Sequence, residues 1–457
     1  MPRVLIVAND IVAERMAGPG IRCIELAAQL QVAGHEVMIA GGGGQGPQNG
    51  SLAFVASPTP NEMESLALQH DAILVQGFAL RAYPALKDLG LPVIVDLYDP
   101  FPLALLEQDA YLGVTERTAR SERVQEILDE QLTAGDYFIC ASERQRDLWI
   151  GALTAVGRVN PQTWSHDNSL RSLIDVVPFG LPDSPPGPLV QRPPGFPTVL
   201  TDADLILLWA GGIYNWFDPL TLIEAVARVV SRDPRIKLVF MSTTHPNPGI
   251  PARMWMPQRA RELASVLGLE GRHVFFNEEW IPYAQRGDWL LSADCGVSTH
   301  FNNAETRYSF RTRLLDYLWA NLPIITTEGD VLADLVARQD LGWTVPSEDV
   351  DALAGAILDM ASDAVRRREM QKRVESIAAG MTWARAAAPL IEFCEHLRKA
   401  TDVPGVGVSR RSQRYGTRGR AHKGWSLWVL GVSSLRRQGV RSTLRAAKVW
   451  WTRRRLS

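Results

Sequence analysis

The chain has 457 residues, of which 46% are hydrophobic and 21% charged. It is too long for one ordinary domain and has ample apolar material for the cores of two or three in a soluble globular protein. The four cysteines, Cys23, Cys140, Cys295 and Cys394, are scattered without a CxxC pair, which argues against a zinc site or disulfide framework and fits a reducing cytosol. The net charge of −2 hides an asymmetry. From residue 401 onward 14 lysines and arginines face one acid, leaving 34 basic and 49 acidic residues before it. This pattern predicts an acidic body with a basic arm.

The opening MPRVLIVAND carries a five-residue apolar run, suited to a first strand and too short for the apolar region of a signal peptide. No run of about 18 apolar residues marks a helical membrane span. RVLIVAN (3–9) leads through a Gly-Pro-Gly turn into IRCIELAAQLQVAG, apolar at helical spacing. HEVMIA, DAILVQG, LPVIVDLYD, DYFICAS and IDVVPFG follow as strands with helical stretches between them. Near-continuous apolar strands alternating with helices predict a parallel sheet covered on both faces. After a Pro- and Gly-rich linker the pattern begins again, with DLILLWAGG, IKLVFMST, HVFFN, CGVSTH and LPIITTE as strands. The expected organisation is therefore a Rossmann-like domain over 1–185, a linker over 186–200 and a second Rossmann-like domain over 201–383. A closing helix (384–400), a flexible basic linker (401–424) and an amphipathic helical tail (425–457) complete it.

The densest chemistry lies in ETRYSFRTRLLDYLWANLPIITTEGD (305–330). On a helix, Arg313 and Asp316 share a face, and Arg311 lies near the helix start, where backbone N–H groups favour an anion. Arginine forks suit phosphate, and an acid one turn away suits a ribose diol. An Arg313–Asp316 salt bridge is the plain alternative. WAGGIYNWFDP (209–219) ends a strand in Gly211 and Gly212, which let backbone approach a pyrophosphate. Asp218 there reads as a helix cap before Pro219, and Trp216 either covers the base or sugar or packs as a core aromatic. DLYDPFP (96–102) ends a strand with Asp96, a turn cap, and Asp99, a candidate for orienting acceptor or donor sugar. His300 is a further cleft candidate. TDAD (201–204) imitates a metal-binding DxD but directly precedes a strand, so it reads as a turn. No histidine spacing suits a metal, and neither metal nor cofactor is expected.

RTRLLDYLWANLPIITT resembles the donor-site element of the retaining family-four glycosyltransferases, which have the GT-B fold: two Rossmann-like domains facing across a cleft. The resemblance covers roughly residues 1–400 in layout. It implies that Asp316 holds the donor ribose, that Arg313 faces the diphosphate, and that a nucleoside-diphosphate sugar is the substrate. Gly18 and Gly20 in ERMAGPGIRCIELA match the family's glycine turn and would meet donor phosphate or acceptor; a tight turn without a ligand role is the alternative. Arg22 beyond it is an anion contact or a surface residue. The family's Glu-x7-Glu pattern is not kept. Tyr308 stands where the first acid belongs, and Glu305, the nearest carboxylate, is the substitute contact for the donor sugar. The Arg and Lys that many members carry in the loop after the glycines are also missing, which leaves the charge to Arg311 and Arg313.

In the tail, Val440, Leu444, Ala447 and Trp451 form one helical stripe beside a basic one. Trp425, Trp428, Arg441, Arg445, Trp450 and Trp451 are therefore expected to dock on an anionic membrane surface, with nucleic acid the weaker alternative partner and a merely solvated charged tail the plain alternative. The combined expectation is a metal-independent, retaining hexosyltransferase on the cytoplasmic face of the inner membrane. It would pass sugar to a lipid-linked or growing saccharide in cell-surface polysaccharide assembly. A nucleotide-sugar epimerase or hydrolase, and a non-catalytic membrane-docked scaffold, are the competing readings.

Overall fold

Thirteen strands in two parallel sheets organise the described chain. The computed structural model describes residues 1–47, 50, 52–247 and 254–402; the six membrane-docking candidates of the tail lie outside them. The first sheet contains β1 (Arg3–Ala8), β2 (Glu36–Gly41), β3 (Ala53–Ala56), β4 (Ala72–Gln76), β5 (Val93–Asp96), β6 (Tyr137–Cys140) and β7 (Ile174–Val176), in the order β3-β2-β1-β4-β5-β6-β7. The second contains β8 (Leu205–Trp209), β9 (Ile236–Phe240), β10 (Val274–Phe276), β11 (Cys295–Ser298), β12 (Ile324–Thr327) and β13 (Gly342–Val345), in the order β10-β9-β8-β11-β12-β13. Strands β4, β5, β6 and β8 are buried along their whole length, as sheets covered by helices on both faces require.

In each sheet the order reverses beside the first strand, between β1 and β4 and between β8 and β11. Such switch points open a crevice at the carboxyl ends of the strands. At the second, the Tyr317 hydroxyl shares its one proton between the carbonyls of Leu208 and Val297, at 2.9 and 2.8 Å, and accepts from the Ala210 N–H at 2.9 Å. Its ring lies so close that a Cβ at Gly296 would sit 2.2 Å from it. Glycine there lets the helix Thr312–Trp319 settle onto the sheet.

Two chain segments connect the lobes side by side. Leu181 donates to the Met381 carbonyl at 2.7 Å, and Trp383 donates to the Leu181 carbonyl at 3.0 Å. The expected linker 186–200 therefore starts beyond the crossing, and part of it packs on the second lobe, with Phe196 against Trp289 at 5.3 Å between ring centroids. The stretch expected to close the second domain instead returns to the first. Helices Trp383–Ala386 and Ala388–Glu395 carry it there, Phe393 stacks on Tyr137 of β6 at 4.3 Å, and Asp402 pairs with buried Arg158 at 2.9 Å. Both partners, Tyr137 and Arg158, belong to the first lobe.

Candidate active site

Between the lobes lies a cavity of about 480 Å³, lined at both switch points: Asn9 and Gly77 on one side, Gly211 and Ser298 on the other. The lobes also touch around it. Arg15 pairs with Glu279 at 3.0 Å, the Trp280 indole donates to the Met16 carbonyl at 3.0 Å, and Asn247 donates to Asp10 at 2.9 Å.

The second lobe supplies the cations. Arg311 immediately precedes the helix Thr312–Trp319, is buried, and pairs with both oxygens of Glu305, the Nη1–Oε1 contact being 3.1 Å. Its charge is thus matched at once by a neighbouring acid. Arg313 is different. Its guanidinium stacks 4.3 Å from the Trp209 ring centroid and 4.1 Å from that of Phe217, and Nη2 donates to the Gly212 carbonyl at 2.6 Å. Nε and Nη1 are buried without a hydrogen-bond partner among the described residues. Burial pulls the Arg313 pKa down to about 10, a shift that the charge of an anionic ligand would offset. Gly211 has φ +72°, so glycine makes this turn without strain and keeps the backbone bare beside Arg313.

Arg313 does not pair with Asp316; that acid's partner is Arg286, whose Nε reaches Oδ1 at 3.0 Å. Burial raises the Asp316 pKa and Arg286 counters the rise. Trp216 lines the cavity, its ring stacked on Tyr214 at 4.9 Å. Asp218 caps the next helix by accepting from the Thr221 N–H at 3.0 Å, and Asp204 of TDAD closes a turn onto Thr201.

From the first lobe, Gly18 and Asp99 line the cavity. Asp99 is half-buried, and desolvation, with the Glu305 charge adding to it, pushes its pKa up to about 7. Gly20 is not part of the wall. A Cβ there would meet the Ile11 carbonyl at 2.3 Å, so its role is close packing of the helix Gly18–Val32 on the preceding loop. Arg22 is neither on the surface nor at the ligand space: it is fully buried and bridges Asp96 at 2.7 and 2.9 Å. His300 is likewise removed from the wall. The chain beyond β11 bridges to Phe217, and the ring turns inward, 3.4 Å from Asp330. Burial and the charges of Arg311 and Arg313 hold it neutral.

Sequence reasoning missed Arg286, Tyr214, His245, Trp280 and Tyr283, all at the cavity. One signal was available for Arg286: it occupies the buried face of the short helix Arg286–Leu291 together with Trp289 and Leu290, where an arginine needs a reason. Among the described residues no three of His, Cys, Asp and Glu converge as metal ligands, and no helix is long and apolar enough to cross a membrane.

This arrangement, two parallel-sheet lobes with a switch-point cleft between them, is the GT-B fold. Residues 204–363 match the family described as Glycosyl transferases group 1. Among solved structures, the chain is similar to sucrose-phosphate synthase from Thermosynechococcus elongatus, at 16% identity and a TM-score of 0.60 over 87% of this chain and 99% of that one. WaaG, a glycosyltransferase involved in lipopolysaccharide biosynthesis, matches at 14% identity and a TM-score of 0.61 over 86% and 99%. Anabaena HepE in complex with UDP and glucose matches at 14% identity and a TM-score of 0.64 over 87% and 100%. No curated protein matches the sequence.

Proposed function

We propose that the protein is a retaining glycosyltransferase. It moves a hexosyl unit from a nucleoside-diphosphate sugar to a lipid-linked or growing saccharide on the cytoplasmic face of the membrane, without a metal. The observation that carries this reading is Arg313: a desolvated guanidinium at the switch point, with Nε and Nη1 unmatched, beside the bare backbone of Gly211 and Gly212. That is a diphosphate-shaped requirement, and positive charge at the leaving diphosphate is where such a reaction gains most of its stabilisation. HepE, with the same fold, was seen with UDP and glucose, which supports a uridine nucleotide as the first donor to try.

In this reading the second lobe grips the donor through Arg313 and Asp316. Arg311 contributes less, because Glu305 already neutralises it. Glu305 and Asp99 stand across from one another and orient donor-sugar and acceptor hydroxyls. Neither is assigned as a nucleophile, and Glu305 is held fast by Arg311 and Ser309. The basic, tryptophan-bearing tail supports an acceptor at an anionic membrane.

The test is a thermal-shift panel of UDP-, GDP- and ADP-sugars, followed by transfer of labelled sugar into a lipid extract with and without EDTA. Stabilisation by one donor and label in the lipid phase, insensitive to EDTA and with the anomeric configuration kept, is expected. No stabilisation by any donor would sink the reading, and release of free sugar without acceptor would make the protein a hydrolase.

A further inference from the structure

Beside Arg313 the second lobe carries a polar pair fixed on every side but one. Arg286 donates through Nε to Asp316 Oδ1 at 3.0 Å and through Nη1 to the Tyr283 carbonyl at 2.8 Å. Its guanidinium lies between two rings, 3.6 Å from the Tyr283 centroid and 4.2 Å from that of Trp319. Tyr283 is itself anchored to the first lobe: its hydroxyl meets Glu25 at 3.0 Å and its N–H donates to the Glu14 carbonyl at 3.1 Å. So little freedom is left that the direction of the third guanidinium nitrogen is set by the fold. Among the described residues neither Arg286 Nη2 nor Asp316 Oδ2 has a hydrogen-bond partner, and both residues line the cavity.

A donor and an acceptor held side by side on one ion pair match two adjacent hydroxyls. We propose that Arg286 completes the ribose contact expected at Asp316: with Asp316 Oδ2 accepting from one hydroxyl of the vicinal diol, Arg286 Nη2 donates to the oxygen of the other. Arg286 is then a specificity-determining residue that selects ribonucleotides over their deoxy counterparts; this rests on the nucleotide-sugar reading above. A carboxylate alone would take hydroxyl protons from either position. With the guanidinium beside it, loss of either hydroxyl leaves one group desolvated and unmatched, which is the strongest basis for rejecting an analogue. Arg286 also opposes the tendency of burial to protonate Asp316, which keeps the acceptor oxygen available.

The test is calorimetry of the full chain with UDP, GDP and ADP and with the 2′-deoxy and 3′-deoxy forms of whichever binds. The wild type is expected to prefer the ribonucleotide about tenfold or more, a moderate share of the discrimination a buried hydroxyl contact supports. Arg286→Met should bring that ratio close to one, and Arg286→Lys, which keeps charge and a donor, should hold an intermediate ratio and guards against misfolding of the first variant. An unchanged ratio in both variants, even with weaker binding overall, would mean that Arg286 only braces the fold. If the wild type binds no nucleoside diphosphate at all, the nucleotide-sugar reading falls with the Arg286 contact; if it binds one and the ratios do not move, the Arg286 contact alone falls.

Discussion

Two buried arginines, one in each lobe, divide the molecule into what is finished and what is waiting. Arg22 in the first lobe donates to both oxygens of Asp96, which also accepts from Gln76 at 3.0 Å, and to the carbonyls of Val177 and Pro178. Arg313 in the second is also buried, at 8% exposure against 0% for Arg22, but has one carbonyl partner and two aromatic faces. A buried charge whose hydrogen bonds are complete belongs to the architecture. A buried charge left incomplete at a cavity wall costs stability in the empty protein and points to a ligand that completes it. Position in the sequence does not separate the two, since both stand within the first two turns of a helix.

The sharpest way to break the comparison is to remove both. Arg22→Ala strands Asp96 and should cost about 3–5 kcal/mol of unfolding free energy, measured by urea denaturation. A loss below about 1 kcal/mol would show the pair to be dispensable. Arg313→Met should do the opposite to the empty protein, leaving its melting temperature unchanged or raised. Its affinity for UDP in calorimetry should fall about 100-fold, the scale of one or two charge-assisted hydrogen bonds. A large drop in melting temperature with intact affinity would move Arg313 to the structural side.

A smaller effect sharpens the role of the opposite wall. Asp99 is pushed up to about 7, above the roughly 3.9 of an unfolded aspartate. The folded protein therefore holds this proton more tightly, so the stability that Asp99 contributes is complete below about pH 4 and is lost as pH rises through about 7. Asp99→Asn should lose less stability between pH 5 and pH 8 than the wild type in urea titrations of the empty protein. Equal slopes would mean that Asp99 sits in water after all.

The parallel sheets were legible because buried strands flanked by amphipathic helices leave little choice of arrangement: LPIIT and LILLW have no polar face to show. The helix at 312–319 and its Arg313–Asp316 spacing were legible for the same reason, and so was the cap at Asp218. The partners were not. The plain alternative pairs Asp316 with Arg313, one turn away, yet its ion pair is with Arg286, 30 residues earlier and on another helix. His300 looked like a cleft residue from its place after a strand, and a bridge to Phe217 turned it inward.

The sequence by itself determined which segments must be strands, where glycine frees the backbone, and that cations gather beside one strand of the second sheet. Those properties follow from local sterics and from apolar periodicity, which act over a few residues. Tertiary structure decided which cations remain available to a ligand. That question turns on whether an acid arrives within hydrogen-bond reach, as Asp96 does for Arg22 and Glu305 for Arg311, while among the described residues no acid does for Arg313. Electrostatic pairing in a desolvated interior is set by distances of about 3 Å between residues that only the folded chain brings together.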